Sequence, residues 1–388
     1  MTTRIALYWH NGRSLGHTMR SATLGQALLR SMAGCAVAGI TGASRGLELL
    51  PEGMDVVKLP SYLAFDDEQG ATFAPILPLD HQEFYRIRAS LIDTFIREYR
   101  PHAFLIDYYP QGKAGELIQA VTNTRATRNV LGLRGILGTP QETNSQVFNR
   151  DMERFLLAHY AAIHVYIDEH VFRLEDYYDV PRSLLELVHY TGYVTRSTAM
   201  AKAEARAQLQ LAAEARVVVA SFGGGQGTEA LWHALLNGLE RMSQRFDLGY
   251  FAAGPYLEAG AYEQLRQRIA LHPGWTWARL LDPLPVWMAA SDLFIGSGGY
   301  NSLAEVMSMR ANALIIPRQL KEREQALHTA KLGMVRVADL ETMVQSDISA
   351  LLEMCLQEPY PLGNMRIATD GAQRNAQLIK LLVTGHNQ

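Results

Sequence analysis

Short apolar runs alternate with longer stretches of helical period along this chain. That is the pattern of strands and helices layered around parallel sheets. In the first half, apolar runs predict strands at Ile5–Trp9, Ala36–Thr41, Val56–Leu59, Ala103–Ile106, Asn129–Leu133 and Ala162–Ile167. Helical spacing predicts helices over Thr18–Met32, Asp80–Tyr99 and Gly115–Thr122. The mixed segment Ser61–Leu79, with Pro75 and Pro78, reads as a long loop, and such loops are often functional. The pattern then restarts. Helix Ala199–Gln210 leads into strand Val217–Ser221, helix Thr228–Gln244, strand Leu248–Ala252, helix Ala261–His272 and strand Thr276–Leu280. Helix Leu284–Ala290, strand Leu293–Ile295, helix Asn301–Met309 and strand Ala313–Ile316 follow, and helices Arg323–Leu332, Ser346–Glu358 and Arg366–Val383 finish the chain.

The restart predicts two similar three-layer α/β domains, residues 1–193 and 194–364. A C-terminal helix in 365–388, amphipathic through Arg366, Gln373, Leu378, Ile379 and Leu382, is expected to pack back on the first domain. Two such domains face to face would enclose a cleft at the carboxyl ends of their strands, where ligands bind in open α/β sheets. The loops Asn11–His17, Asp107–Gly112, Ser221–Thr228 and Gly296–Ser302 all follow predicted strands and would converge there.

Composition narrows the function classes. The chain has 388 residues, 48% hydrophobic and 19% charged, an ordinary globular balance. A net charge of -3 gives no general reason to expect a nucleic-acid partner. No apolar run is long enough to span a bilayer, and the first residues read as a strand, so a cytoplasmic location is the expectation. Cys35 and Cys355 have no metal-type spacing, and no Asp-x-Asp follows a strand to hold a metal phosphate, so no metal site is expected.

The most informative segment is Ser297-Gly298-Gly299-Tyr300-Asn301-Ser302-Leu303-Ala304-Glu305. It follows a strand and opens a helix, placing small residues and backbone N–H groups where an anion binds well. Glu305, one helical turn in, can reach a ribose diol beside that anion. A second glycine turn, Ser221-Phe222-Gly223-Gly224-Gly225-Gln226-Gly227-Thr228, suits phosphate or a close approach of two backbones. It fits neither the dinucleotide fingerprint nor a Walker loop. Downstream, Arg318 is a candidate for phosphate, and Glu324 and Gln325 offer groups suited to sugar hydroxyls, although such a charged run also suits a solvated helix start.

In the first domain, Gly12 and Gly16 frame a turn that places His17 at a helix start. There it can act as a general base or simply cap the helix. His10 is its rival. Asp107, after an apolar strand, can orient such a histidine or form a turn before Pro110.

Taken in order, these motifs resemble glycosyltransferases of the GT-B class, whose fold is two Rossmann-like three-layer domains facing across a cleft. Gly298-Gly299-Tyr300-Asn301-Ser302 with Glu305 resembles the signature of the UDP-glycosyltransferase superfamily, with Ser297 where the plant signature has a His. Ile315 to Gln325, Ser221 to Gly227 and Gly12 to His17 resemble the peptidoglycan-precursor N-acetylglucosaminyltransferases. The first loop lacks that family's Gly-Gly-x-Gly-Gly run. Gly16-His17-Thr18-Met19-Arg20 also resembles the first loop of nucleotide-sugar hydrolases.

The resemblance implies a metal-independent, inverting transfer from a nucleotide diphosphate sugar, most simply a UDP-sugar, with no cofactor beyond that co-substrate. It places the diphosphate on Gly224, Gly225, Ser297, Gly298, Gly299, Asn301 and Ser302, adds Ser221 and Gln226 to the nucleotide-sugar-binding residues, and puts the ribose on Glu305. The base falls at Leu281, the sugar at Glu324 and Gln325, and the catalytic pair is His17 and Asp107. A small-molecule acceptor is the leading expectation, with a lipid-linked one as its alternative. A hydrolase or epimerase on the same fold is the rival activity.

Overall fold

Apolar runs of five or six residues become the central strands, and the helical stretches between them become the crossovers. The structure, a computed structural model, describes residues 2–10, 15–67, 70–124, 126–196, 199–318, 324–332, 336–345, 347–358 and 367–385. The chain divides into two units, Met1–Val194 with Asp370–Gln388, and Thr195–Thr369.

The first unit opens with β1 (Arg4–Trp9), α1 (Gly16–Ser31), β2 (Ala36–Thr41), β3 (Met54–Lys58), β4 (Tyr62–Asp67), β5 (Gly70–Pro75) and α2 (His81–Tyr99). It continues through β6 (Ala103–Asp107), α3 (Ile118–Asn123), β7 (Arg128–Leu133), α4 (Pro140–Gln146), α5 (Arg150–His159), β8 (Ala162–Val165), α6 (Arg182–Leu185) and β9 (Val188–Tyr190). The second unit has α7 (Lys202–Gln208), β10 (Val217–Ser221), α8 (Glu229–Arg241), β11 (Leu248–Ala252), α9 (Ala259–Ile269), β12 (Trp275–Ala278), α10 (Leu284–Ala290) and β13 (Leu293–Ser297). It then has α11 (Tyr300–Met309), β14 (Ala313–Ile316), α12 (Glu324–Leu332), β15 (Arg336–Val337), α13 (Leu340–Gln345) and α14 (Ser349–Gln357). The last helix, α15 (Gly371–Thr384), belongs to the first unit and packs against α1. Among the described residues, no helix is long and apolar enough to cross a membrane.

Both main sheets are parallel. The first runs β3-β2-β1-β6-β7-β8-β9 and the second β12-β11-β10-β13-β14-β15. In each, the winding reverses at one place. It lies between β1 and β6 in the first unit, where Tyr8 pairs with Ile106, and between β10 and β13 in the second, where Ser221 pairs with Gly296. Connections on either side of such a pair diverge and leave an open crevice at the strands' carboxyl ends.

The elements form for local reasons. In α2, Phe84, Arg88, Ile92 and Ile96 recur every four residues and make the buried stripe. The Asp80 side chain accepts the N–H of Glu83 at 2.8 Å and caps its start. Residues 61–79, expected as a loop, instead contain the antiparallel pair β4–β5, with Tyr62 opposite Pro75. Pro75 is tolerated because it ends a strand of a two-stranded sheet. Helices α4 and α5 were not expected, although α5 carries a readable signal: Asn149 accepts the N–H groups of Asp151 and Met152, both at 3.0 Å. The expected helix Ser346–Glu358 is α14, α13 just before it was not expected, and the last helix begins at Gly371 rather than Arg366, which lies outside the described residues.

A fully buried ion pair ties the first unit together. Arg88 on α2 donates to both carboxylate oxygens of Glu116 at 2.7 and 2.9 Å, and to the carbonyl of Pro60 at 2.5 Å. The Tyr8 hydroxyl of β1 also donates to Glu116. One carboxylate thereby joins the central strand, α2, the loop after β6 and the entry to β4. Removing one partner of a buried pair leaves an unpaired interior charge, which costs about 3–5 kcal/mol. Glu116→Ala should therefore lower the stability of the first unit by about 3–5 kcal/mol in urea denaturation followed by tryptophan fluorescence. A change below about 0.5 kcal/mol, the scale of a surface substitution, would contradict this role.

Candidate functional site

The reversal point of the first sheet carries a compact charged cluster. His17 lies in the first turn of α1, just after β1, and Asp107 is the last residue of β6. The structure brings them together: His17 Nδ1 lies 2.5 Å from Asp107 Oδ2. Arg20, three residues after His17 on the same helix face, donates Nε and Nη2 to Asp107 Oδ1 at 3.1 and 2.7 Å, and Nη2 to Oδ2 at 2.9 Å. Arg20 Nη2 is also 3.0 Å from His17 Nδ1, but a guanidinium cannot accept a proton. The shorter contact with the carboxylate decides the tautomer. Nδ1–H donates to Asp107, and Nε2 keeps its lone pair.

The electrostatics follow from this arrangement. Burial favours a neutral Asp107, but Arg20 and His17 outweigh burial and hold its carboxyl well below the usual range. For His17, burial is the largest influence and lowers the pKa. Asp107 opposes it, while Arg20 and Arg134 add to the lowering. A carboxylate raises a neighbouring histidine, and Asp107 does so here, but burial, with Arg20 and Arg134, outweighs it and leaves the His17 pKa below its ordinary value. His10, at the end of β1, packs its ring 4.0 Å from that of His17, and burial pushes its pKa well down. Tyr108 follows Asp107 with φ of 76°, in the left-handed region that non-glycine residues enter at a cost. Its ring and that of Tyr109 pack around the two histidines. Gly12 of the first glycine turn lies outside the described residues.

The reversal point of the second sheet gathers three turns. A methyl group placed on Gly223 would stand 3.7 Å from Ser297 Oγ, so the turn after β10 faces the turn after β13. One on Gly227 would stand 3.9 Å from Arg318 Nη2, and Arg318 donates to the Gln226 carbonyl at 2.8 Å, which brings in the turn after β14. The Gln325 side chain lies over Gly298 and Gly299 and accepts the N–H of Arg318 at 2.9 Å. Gly299 caps α11, and Asn301 and Ser302 occupy its first turn. Ser221 and Ser297 are buried at the ends of their strands.

Some of the expected residues sit differently from the rest. Gly224 and Gly225 pack against a neighbouring turn. Gly225 has φ of 85°, a Cβ there would fall 2.3 Å from the Ala253 carbonyl oxygen, and Tyr256 N–H donates to the Gly224 carbonyl at 2.8 Å. Close backbone approach is thus one reason for glycine in this turn. Glu305 is buried in the second turn of α11, where Arg196 Nε donates to its Oε1 at 2.5 Å. Leu281 is half-buried in the loop before α10, next to Asp282, whose carboxylate is 3.7 Å from Arg196 Nη1. Glu324 is half-buried at the start of α12.

Two charged residues here were not anticipated. Arg20 was readable, because a cation three residues after His17 on a helix shares its face. Arg196 carries no comparable signal: it stands before α7 and reaches Glu305 across 109 positions of sequence.

No protein-family model and no curated protein sequence matches the chain. Solved structures do match in fold. The glycosyltransferase SnogD from Streptomyces nogalater superposes with a TM-score of 0.56 at 15% identity, covering 98% of this chain and 100% of its own. MurG of Acinetobacter baumannii gives 0.55 at 12% identity, covering 98% and 99%. The UDP-GlcNAc 2-epimerase from Methanocaldococcus jannaschii gives 0.59 at 10% identity, covering 98% and 99%. The chain therefore has the two-domain α/β fold of GT-B glycosyltransferases, a fold that also occurs in epimerases.

The tautomer and charge balance at His17 can be measured without knowing the substrate. In an NMR titration, His17 should show a midpoint below the ordinary value of about 6.5. Asp107→Asn removes the group that favours the protonated ring, so the midpoint should fall further. A midpoint at or above about 6.5 in the native protein, or a rise in Asp107→Asn, would show that this charge balance is wrong.

Proposed function

We propose that this protein is a glycosyltransferase that moves a sugar from a nucleotide diphosphate sugar, most simply a UDP-sugar, to a hydroxyl of a small-molecule acceptor. The observation that carries this reading is the convergence of three turns at the reversal point of the second sheet. Two are rich in glycine, one opens α11, and the third brings Arg318 and Gln325 against both. Such an arrangement suits a diphosphate: backbone N–H groups at a helix start, small side chains that let it approach, and one guanidinium to meet its charge. On this reading no metal is required for that charge.

The first unit supplies the base. His17 Nε2 takes the proton of the acceptor hydroxyl as its oxygen bonds to the anomeric carbon. The bond from that carbon to the diphosphate breaks, and the nucleoside diphosphate leaves with the electron pair. Asp107 stabilises the imidazolium that forms, and Arg20 holds Asp107 in place. A single displacement of this kind inverts the anomeric centre.

A second reading has support of its own, because UDP-GlcNAc 2-epimerases superpose as well as glycosyltransferases do. A hydrolase or epimerase would share the donor turns and need no acceptor. Thermal-shift screening against UDP, TDP and GDP and their common sugars should raise the melting temperature for one nucleotide, with no effect of chelator. Incubation with that nucleotide sugar should then release nucleotide only when an alcohol acceptor is supplied. Release without acceptor would favour hydrolysis, sugar isomerisation would favour the epimerase, and no shift with any nucleotide would overturn the donor site. With the active pair in hand, His17→Ala should lower kcat by about 10²–10⁴. Activity near that of the native protein would remove His17 from the role of base.

A further inference from the structure

A cavity of about 530 Å³ lies in the first unit, between β7, β8 and β9 and the C-terminal half of α15. Its size is that of a small-molecule pocket, roughly 300–1,000 Å³. It shares no residue with the His17 cluster. Leu378, Leu381 and Leu382, spaced three and four apart on one face of α15, give it an apolar wall, and Leu381 is exposed. The sheet contributes polar groups. His164 on β8 and His189 on β9 are register partners, so both rings stand on the same side of the sheet, 5.9 Å apart. His189 is exposed and His164 is fully buried. Asn375 Nδ2, an amide donor on α15, lies 2.7 Å from His164 Nδ1, so Nδ1 accepts and the ring carries its proton on Nε2. That buried Nε2–H has no acceptor. Burial, with His189 beside it, pushes the His164 pKa down to about 3 and keeps the ring neutral. Arg128 opens β7, stands half-buried on the cavity wall, and has no side-chain partner among the described residues.

These groups specify a ligand. A guanidinium without a carboxylate suits an anion, a buried N–H without an acceptor suits an oxygen, and the leucines suit an aliphatic body. The end of α15 also borders the cavity, and free carbonyls there would disfavour an anion. Two of them are already engaged: Thr384 Oγ1 donates to the Lys380 carbonyl and the Gly385 N–H to that of Leu381, both at 2.8 Å. The full charge of Arg128 also exceeds the roughly half charge of a helix end. We propose that this cavity is a ligand site for a small amphipathic carboxylate. Its chain lies along Leu378, Leu381 and Leu382, and its head pairs with Arg128. As the exposed His189 ring swings aside, the head also accepts from His164 Nε2–H. The site uses neither the glycine turns nor His17, so it stands apart from the donor-site reading.

The experiment is a calorimetric titration of the full chain with decanoate, below its micelle concentration, and with decanol as its neutral match. Native protein should bind decanoate at a single site and decanol at least roughly 10-fold more weakly, the scale of a contact to a charged group. Arg128→Gln should bring decanoate down to the affinity of decanol and leave decanol unchanged. Leu378→Trp, which fills the cavity, should remove binding of both, and it covers the case in which Arg128→Gln does not fold. Nitrogen-resolved NMR of native protein should show His164 as the Nε2–H tautomer, with that proton shifting when decanoate is added. Absence of decanoate binding, equal affinity for decanol, an affinity that neither variant changes, or a His164 signal that does not respond to bound decanoate would each overturn the proposal.

Discussion

Each unit depends on one pair of adjacent parallel strands whose crossovers leave in opposite directions, β1 with β6 and β10 with β13. Parallel strands can be joined only by crossovers, and where these diverge the backbone leaves the strand ends uncovered. The His17 cluster lies at the first of these openings, and the turns after β10 and β13 lie at the second. His17, Arg20 and Asp107 owe their contact to the register that sets Tyr8 beside Ile106. The glycine turns of the second unit owe theirs to the register that sets Ser221 beside Gly296.

The two openings are lined differently, and the difference is electrostatic. The first holds a carboxylate between a histidine and an arginine, in surroundings that keep the imidazole neutral and the carboxylate charged. This suits proton removal near neutral pH. The second is built mainly from backbone and small side chains, with Arg318 and Gln325 against the turns and Glu305 fixed by Arg196. This suits a ligand with an anionic part and a diol. The proposed transfer assigns the proton to the first opening and the phosphate to the second.

Much of this was legible in the sequence because it rests on local signals. Buried parallel strands read as apolar runs, and β2, β10, β11 and β14 match their expected limits. The turns at Ser221 and Ser297 were visible as small residues between a strand and a helix. The rest depends on long-range partners that no local pattern encodes. The hairpin β4–β5 was hidden because Pro75 and Pro78 suggested a loop, although Pro75 is tolerated at the end of β5 and Pro78 lies beyond it. The Glu116–Arg88–Tyr8 cluster joins residues 28 and 108 positions apart. Arg196 finds Glu305 only once the fold exists. The packing role of Gly225 was legible only as an alternative to phosphate binding, since glycine serves both.

In the proposed function a nucleoside diphosphate binds the second unit, at the reversal point of its sheet. Hydrogen exchange followed by mass spectrometry, with and without a saturating nucleoside diphosphate, tests it most directly. Protection should concentrate in peptides spanning Ser221–Thr228 and Ser297–Glu305, with residues 16–20 and 107–109 little changed. Protection centred on the His17 and Asp107 peptides, with the second-unit turns unaffected, would contradict it.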